Sequence, residues 1–168
     1  SNIMLTPSRE TRLIDFGIAS LQLVEHVEAT QASLIEGTLA YMSPEQCLAQ
    51  QVDRRTDIFA LGTVLHELLT GRPLFLRDSE LLTFRGVLRD EIPTAISLNP
   101  GVPRPLSDVV ATALNRSVAA RFPNANEMSR AVATCIPALI FTPADAAKFM
   151  AELFAEEQRP WIERQKAR

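Results

Sequence analysis

Hydrophobic and polar positions follow one pattern near the amino end of the chain and another from about residue 44 onward. Near the amino end, residues 2–5 and 11–14 are short apolar runs separated by turn-forming residues, which predicts a β-hairpin. No period is evident over residues 15–36, and loops longer than about 15 residues in compact domains usually carry function. We therefore expect a small hairpin followed by a long functional loop.

The clearest helical pattern covers residues 57–69. Thr56 would cap this helix, Gly71 would end it, and apolar side chains lie nearly all round it. Such a helix belongs at the centre of a domain. A shorter helix is expected at Pro44, capped by Ser43. We expect further helices at residues 79–88, 106–115 and 125–135. The predicted fold is mainly α (α+β), with one small hairpin and a central buried helix.

A change of composition near Pro137 marks an expected boundary between a domain of residues 1–136 and an extension of residues 137–168. Apolar positions with helical spacing predict an amphipathic helix over residues 143–157, followed by a basic tail. This helix either packs on its own domain or binds a partner, and the sequence leaves both open.

Composition and charge exclude several classes of protein. The chain has 168 residues, of which 46% are hydrophobic and 22% charged, as in globular domains. A net charge of −3 offers no footprint for a polyanion, so we expect no nucleic-acid partner. No apolar run approaches the roughly 20 residues of a membrane span. Only two cysteines, Cys47 and Cys135, are present, which favours a reducing, cytoplasmic location.

The tripeptide Asp15-Phe16-Gly17 stands at the end of the second predicted strand. A carboxylate followed by an apolar anchor and a glycine suits a hard cation beside a movable loop. Taken alone, Asp15 reads more simply as a turn residue. Asn2 opens the first strand, and a tight hairpin would bring its amide oxygen close to Asp15, a donor pair that suits Mg²⁺.

Other motifs follow in order at residues 37–46, 57–62 and 119–123. With them, the sequence resembles the eukaryotic-like Ser/Thr protein kinases, most closely the bacterial members, over about residues 1–135. The resemblance implies the larger C-terminal lobe of that fold without its N-terminal lobe. It also implies ATP and Mg²⁺ as cofactors, and protein substrates with Ser or Thr acceptors. An unrelated helical protein that matches by accident is the remote alternative.

The resemblance assigns residues near the nucleotide. Asn2 and Asp15 match the two residues that bind Mg²⁺. Met4 falls where the family places the floor beneath adenine, and Ile14 joins Met4 and Asp15 as cofactor-binding residues. From its pattern alone, the slightly favoured interpretation of Met4 is an ordinary core residue.

The resemblance also assigns regulatory residues to the long loop. Phe16, with Gly17, would pack differently in active and inactive arrangements. Thr30 and Ser33 are candidate phosphorylation sites, since a phosphate there would order the loop on an arginine. For either hydroxyl, simple solvation is the plainer interpretation.

Substrate-binding residues are expected just after this loop, at Gly37, Thr38 and Tyr41. Thr38 stands where the Ser/Thr-specific members place a threonine that steadies the catalytic loop, which favours Ser and Thr acceptors. In isolation, Gly37-Thr38 is an ordinary turn.

Three residues are expected to have structural roles. The resemblance pairs Glu45, in Ser43-Pro44-Glu45, with Arg121. It also places Asp57 where it would accept backbone N–H groups of the catalytic loop, although an acidic residue is favourable in any first helical turn.

The chain also departs from the family pattern. No catalytic residue is expected within it, because the family's base is an Asp five residues before the Asn, and that position precedes Ser1. We therefore expect an inert piece of a protein that is active when it includes the N-terminal lobe. A kinase-derived module that binds a partner without chemistry is the alternative.

Overall fold

The computed structural model describes residues 3–5, 11–13, 39–136, 144–145 and 148–149. The chain divides into two compact units: Ser1–Leu21 with Ala138–Arg168, and Gln22–Pro137. In the first unit, strand β1 (Ile3–Leu5) pairs antiparallel with β2 (Thr11–Leu13), and Met4 lies opposite Arg12. Residues 144–145 and 148–149, inside the predicted amphipathic helix, are helical, and the rest of that helix lies outside the described residues.

The described part of the second unit is helical, as the sequence predicts. Its helices are α1 (Pro44–Cys47), α2 (Arg55–Thr70), α3 (Glu80–Arg89), α4 (Ala95–Leu98), α5 (Arg104–Ala113) and α6 (Ala125–Cys135), with a 3₁₀ turn at Val118–Ala120. Helix α2 packs against α4 and α5, and α5 also contacts α6. Within the described ranges, no helix combines the length and apolar character needed to cross a membrane.

Side-chain caps mark the starts of α3 and α6 near their predicted positions. Ser79 accepts the N–H of Leu82 at 3.3 Å, and Asn124 accepts the N–H of Glu127 at 3.0 Å. Helix α5 has no side-chain cap and starts two residues earlier than expected, with Pro105 tolerated in its first turn. Side-chain caps therefore explain where α3 and α6 begin.

The start of α2 differs from the prediction. The helix begins at Arg55, whose N–H is accepted by Asp53 Oδ1 at 2.8 Å. Thr56 is not its cap, because the Thr56 hydroxyl donates to Glu45 instead. The predicted stop is right: Gly71 is left-handed (φ 69°), and its N–H reaches the Glu67 carbonyl at 2.8 Å.

One face of α2 forms the centre of the core. Phe59 is fully buried and stacks on Phe75 with ring centroids 5.8 Å apart. The prediction of burial nearly all round the helix is wrong, since Leu61 and Leu68 are 44% and 75% exposed. These two residues are seven apart and share a face, and composition does not say whether a neighbour covers that face.

Gly62 lets α2 and α5 approach closely. A Cβ placed on Gly62 would stand 2.9 Å from the Cβ of Ala113 and 3.2 Å from Cγ of Leu114. The Ala113 methyl is attached directly to the α5 backbone, so it cannot swing away. The spacing of the two helices therefore depends on the absence of a side chain at position 62.

Hydrogen bonds from Arg116 connect the end of α3 to the segment after α5. Its Nε donates to the Val87 carbonyl at 2.8 Å, and its Nη2 donates to the carbonyls of Gly86 at 3.1 Å and Asp90 at 2.5 Å. The last carbonyls of a helix have no partner within the helix, so one guanidinium caps this end.

Candidate functional site

The site is built around the short helix α1. Ser43 forms a capping box with Gln46: the Gln46 N–H reaches Ser43 Oγ at 3.4 Å, and the Ser43 N–H reaches Gln46 Oε1 at 2.9 Å. Pro44 occupies the first turn, where its missing N–H costs nothing. These local preferences place Glu45 in the first turn, with its side chain directed into the protein.

Glu45 forms a buried, two-pronged ion pair with Arg121. Nη1 and Nη2 of Arg121 donate to Oε1 and Oε2 of Glu45 at 2.7 and 2.8 Å, and the two side chains are 0% and 4% exposed for Arg121 and Glu45. The contact that the resemblance leads one to expect is therefore present, between residues 76 positions apart. A forked pair of this kind fixes geometry as well as charge.

The remaining donors of Arg121 are also satisfied. Nε donates to the Asn115 carbonyl at 2.7 Å, Nη1 to the Arg55 carbonyl at 3.0 Å, and Nη2 to the Arg116 carbonyl at 3.3 Å. The guanidinium carbon lies 4.9 Å from the centre of the Phe59 ring, within the range of a cation–π contact. Arg121 thus joins α1, the start of α2 and the segment after α5 at one buried point.

The charge on Glu45 is stabilised in the folded protein. Burial on its own would raise the pKa of Glu45, but hydrogen bonds from Arg121, from its own backbone and from Thr56 outweigh burial and hold that pKa below its usual value. The Thr56 hydroxyl donates to Oε1 at 2.9 Å. At neutral pH the Glu45 carboxyl is therefore ionised.

A second bridge starts at Tyr41, three residues after Thr38. The Tyr41 hydroxyl donates to Oε2 of Glu67 at 2.9 Å, while Oε1 of Glu67 accepts the N–H of Leu74 at 3.0 Å. One carboxylate therefore ties the segment before α1 to α2 and to the loop after it. Tyr41 itself remains 38% exposed, so part of its ring is available for contact with a ligand.

The structure describes five of the residues that the sequence analysis assigns to a site. Glu45 and Arg121 are together, and Tyr41 is held by Glu67. Asp57 lies exposed in the first turn of α2, near the positive end of the helix. Met4 is described only through its backbone pairing in β1. The remaining assigned residues lie outside the described part of the chain: Asn2, Ile14, Asp15, Phe16, Gly17, Thr30, Ser33, Gly37 and Thr38. Within the described ranges, no three His, Cys, Asp or Glu side chains are grouped to hold a metal ion.

Sequence reasoning missed Glu67. No capping motif or helical spacing relates it to Tyr41, which is 26 positions away. Only the packing of the segment before α1 along α2 brings the two side chains together.

Comparison with known proteins gives consistent results. Residues 1–158 match the sequence model of the family described as "Protein kinase domain". The chain is 33% identical over 136 residues to the probable serine/threonine-protein kinase SCO3848 of Streptomyces coelicolor, and 36% identical over 129 residues to the serine/threonine-protein kinase PknB of Mycobacterium leprae. It is also 34% identical over 134 residues to the tyrosine-protein kinase MasK of Myxococcus xanthus.

These alignments cover 81%, 76% and 80% of this chain, respectively, but only 20% of each relative, so the chain spans about a fifth of their length. Among solved structures, the twitchin kinase region from C. elegans superposes with a TM-score of 0.59 at 26% identity. That match covers 78% of this chain and 22% of the twitchin chain.

Proposed function

Because this chain belongs to the protein kinase family, we propose that it is part of a Ser/Thr protein kinase that transfers the γ-phosphoryl group of ATP to Ser or Thr hydroxyls of proteins. The observation that carries the proposal is the buried pair of Glu45 and Arg121. It anchors α1, and with it the carboxyl end of the segment to which we assign acceptor binding. Residues 1–136 would supply part of the catalytic domain, the C-terminal lobe, and residues 137–168 an extension of it.

We assign nucleotide binding to residues near the hairpin. Asn2 and Asp15 would hold Mg²⁺, since an amide oxygen and a carboxylate are hard oxygen donors. When bound, Mg²⁺ neutralises the charge that develops on the phosphates of ATP. Met4 and Ile14 would contact the adenine. Phe16, Gly17, Thr30 and Ser33 would regulate the site through the arrangement and phosphorylation of the loop that contains them.

We assign acceptor binding to Gly37, Thr38 and Tyr41. Two described contacts support this assignment, because the pair at Glu45 and the bridge from Tyr41 to Glu67 both hold the segment that follows Thr38. Thr38 favours Ser and Thr over Tyr as acceptors. One relative is named a tyrosine-protein kinase, so the identity of the phosphorylated residue is part of the test.

The test is a phosphotransfer assay on a protein that includes these residues together with the N-terminal lobe. We expect transfer of labelled phosphate from ATP to a general acceptor such as casein, with phosphoserine and phosphothreonine as the products. Asp15→Asn should reduce the rate by about 10²-fold or more, because an electrostatic contribution to the transition state is lost. Asp108→Asn is the matched control: it makes the same change at an exposed position on α5 and should leave the rate unchanged.

The 168 residues assayed alone should be inactive, because phosphoryl transfer needs groups from both lobes. Absence of Asp15-dependent transfer in the longer protein would contradict the proposal. That outcome, together with a residue other than Asp five positions before Asn2, would favour the alternative of a kinase-derived module that binds a partner without chemistry.

A further inference from the structure

Helix α3 presents large apolar side chains to solvent. Leu81 and Leu82 are 76% and 46% exposed, and Leu76, shortly before the helix, is also 46% exposed. The opposite face of α3 packs into the protein, and its buried residues are Thr83, Gly86 and Val87. Single exposed leucines are ordinary on protein surfaces, but three within seven residues form a patch that a partner can cover.

Two arginines continue this exposed face toward the end of α3. Arg85 lies four positions after Leu81. Arg89 lies seven positions after Leu82, so these four side chains share about 100° of the helix surface. Both arginines are exposed, and Nε of Arg85 is 3.5 Å from Oδ1 of Asp90. The face therefore begins with apolar side chains and ends with cations.

The charges along α3 change sign from one end to the other. Asp78 and Glu80 stand at its start, whereas Arg85 and Arg89 lie in its second half. A second α3 that packs antiparallel places its basic end beside this acidic start, and the two-fold axis repeats the contact at the other end. Parallel packing would bring like charges together instead. The helix is therefore complementary to a second copy of itself.

We propose that α3 is a self-association surface, on which a second copy of this chain packs its own α3 antiparallel across a two-fold axis. With the axis near the middle of the helix, between Thr83 and Phe84, Leu81 and Leu82 of both copies lie within about 8 Å of one another along the helix direction. Asp78 is then level with Arg89 of the second copy.

Helix α2 also exposes leucines but lacks this pattern of charge. Leu61 and Leu68 are 44% and 75% exposed. The first turn of α2 contains the acidic Asp57, but its last turn contains no basic residue. Leu68 therefore provides a matched control for Leu81, because the two leucines are almost equally exposed and only the helix of Leu81 has the complementary charges.

The proposed contact is small. A ten-residue helix is about 15 Å long and 10 Å wide, so each copy contributes far less than the roughly 800 Å² of a standard interface. We therefore expect a weak and reversible dimer, with a Kd between about 10 µM and 1 mM. No residue of α3 is assigned to the nucleotide or the acceptor, so the result is separate from that of the kinase proposal.

Sedimentation equilibrium of the 168-residue chain, at concentrations up to about 1 mM, tests the proposal. We expect a monomer–dimer equilibrium. Leu81→Arg should raise the Kd by about tenfold or more, because it places a charge among the leucines of the contact. Leu68→Arg makes the same change at an equally exposed position of α2 and should leave the Kd unchanged. Circular dichroism checks that both variants are folded.

Exchange of the two charges tests the antiparallel arrangement. Arg89→Glu places a carboxylate level with Asp78 of the second copy and should raise the Kd by about tenfold at low salt. Asp78→Arg should do the same, because two arginines then face each other. The double variant restores the pair with reversed sign, so its Kd should return to within about threefold of the wild-type value.

Three outcomes would overturn the proposal. The first is a chain that stays monomeric up to about 1 mM. The second is a dimer that Leu68→Arg weakens and Leu81→Arg does not, since the second copy would then contact α2. The third is a double charge variant that associates no better than either single variant.

Discussion

The hydroxyl of Tyr41 donates to a carboxylate oxygen of Glu67 across 2.9 Å, and the other oxygen of that carboxylate accepts the N–H of Leu74. Burial, the hydrogen bond to Glu67 and the negative charge of Glu67 all raise the pKa of Tyr41 above its usual 10.0. The phenol is therefore held in its neutral form, in which it donates.

Titration of Tyr41 tests this bridge directly, because it is the only tyrosine in the chain. We expect tyrosinate absorbance to appear with a midpoint above pH 10.0. Glu67→Gln should lower the midpoint, since the amide can still accept the hydrogen bond but no longer repels tyrosinate. Glu127→Gln, at an exposed position on α6, is the control and should not change it. Equal midpoints in wild type and Glu67→Gln would show that the bridge is absent in solution.

Removal of Arg121 should be strongly destabilising. Arg121→Leu leaves the Glu45 carboxylate buried without its main partner, and such changes cost about 3–5 kcal/mol in the free energy of unfolding. Urea denaturation measures the loss. The exposed pair of Arg130 and Glu127, 3.0 Å apart, is the matched control: Arg130→Leu should cost less than about 1 kcal/mol. Similar losses in both variants would contradict the account of the buried pair.

Glu45 should also make stability depend on acid. Its folded pKa is lowered, so its charge contributes stability that is fully present above the unfolded value of 4.5 and is lost as the pH falls through the folded pKa. Glu45→Gln should be less stable at neutral pH but should lose less stability on acidification below that value. Unfolding free energies measured by urea from pH 7 downward test this. Parallel curves for the two proteins would rule out a lowered pKa of Glu45.

Two glycines should respond oppositely to the same substitution. Gly62→Ala introduces a Cβ 2.9 Å from that of Ala113, and overpacking of this kind costs about 1–3 kcal/mol, against a gain of about 1 kcal/mol in helix propensity. We expect a net loss of stability. At Gly86 the nearest atoms to an added Cβ are at 3.7 Å, an ordinary contact, so Gly86→Ala should stabilise α3. Thermal unfolding of both variants tests the difference, and stabilisation by Gly62→Ala would contradict the close approach of α2 and α5.

Replacement of Arg116 by lysine should destabilise the protein. An ammonium group cannot reproduce the planar fork that reaches the carbonyls of Gly86, Val87 and Asp90, and each buried carbonyl left unpaired costs about 1–3 kcal/mol. Arg116→Lys should therefore lower the free energy of unfolding by at least that amount. Arg89→Lys, an exposed change in the last turn of α3, should be nearly neutral. Equal effects would mean that Arg116 does not hold the end of this helix.

Local features of the fold were predictable. Ser43, Ser79 and Gly71 mark helix ends because a cap depends on a few neighbouring residues, whatever surrounds them. The sequence pattern predicts a start of α2 two residues late, because Thr56 resembles a cap but lies inside the helix, where its hydroxyl donates to Glu45. The exposure of Leu61 and Leu68 could not be predicted either, because helical periodicity describes one helix and not the neighbours that would cover it.

At the site, only the resemblance to a family predicts that Glu45 pairs with Arg121. The two charges are 76 positions apart, and nothing in that spacing requires them to meet. Short-range chemistry, such as helix caps and stops, could be read directly from the order of the amino acids. The bridge from Tyr41 to Glu67, the contacts of Arg116 and the hydrogen bond between His66 Nε2 and the Pro93 carbonyl depend on how helices pack. Their partners are 26 or more positions away along the chain, and a hydrogen bond forms only when the whole core brings donor and acceptor within about 3 Å.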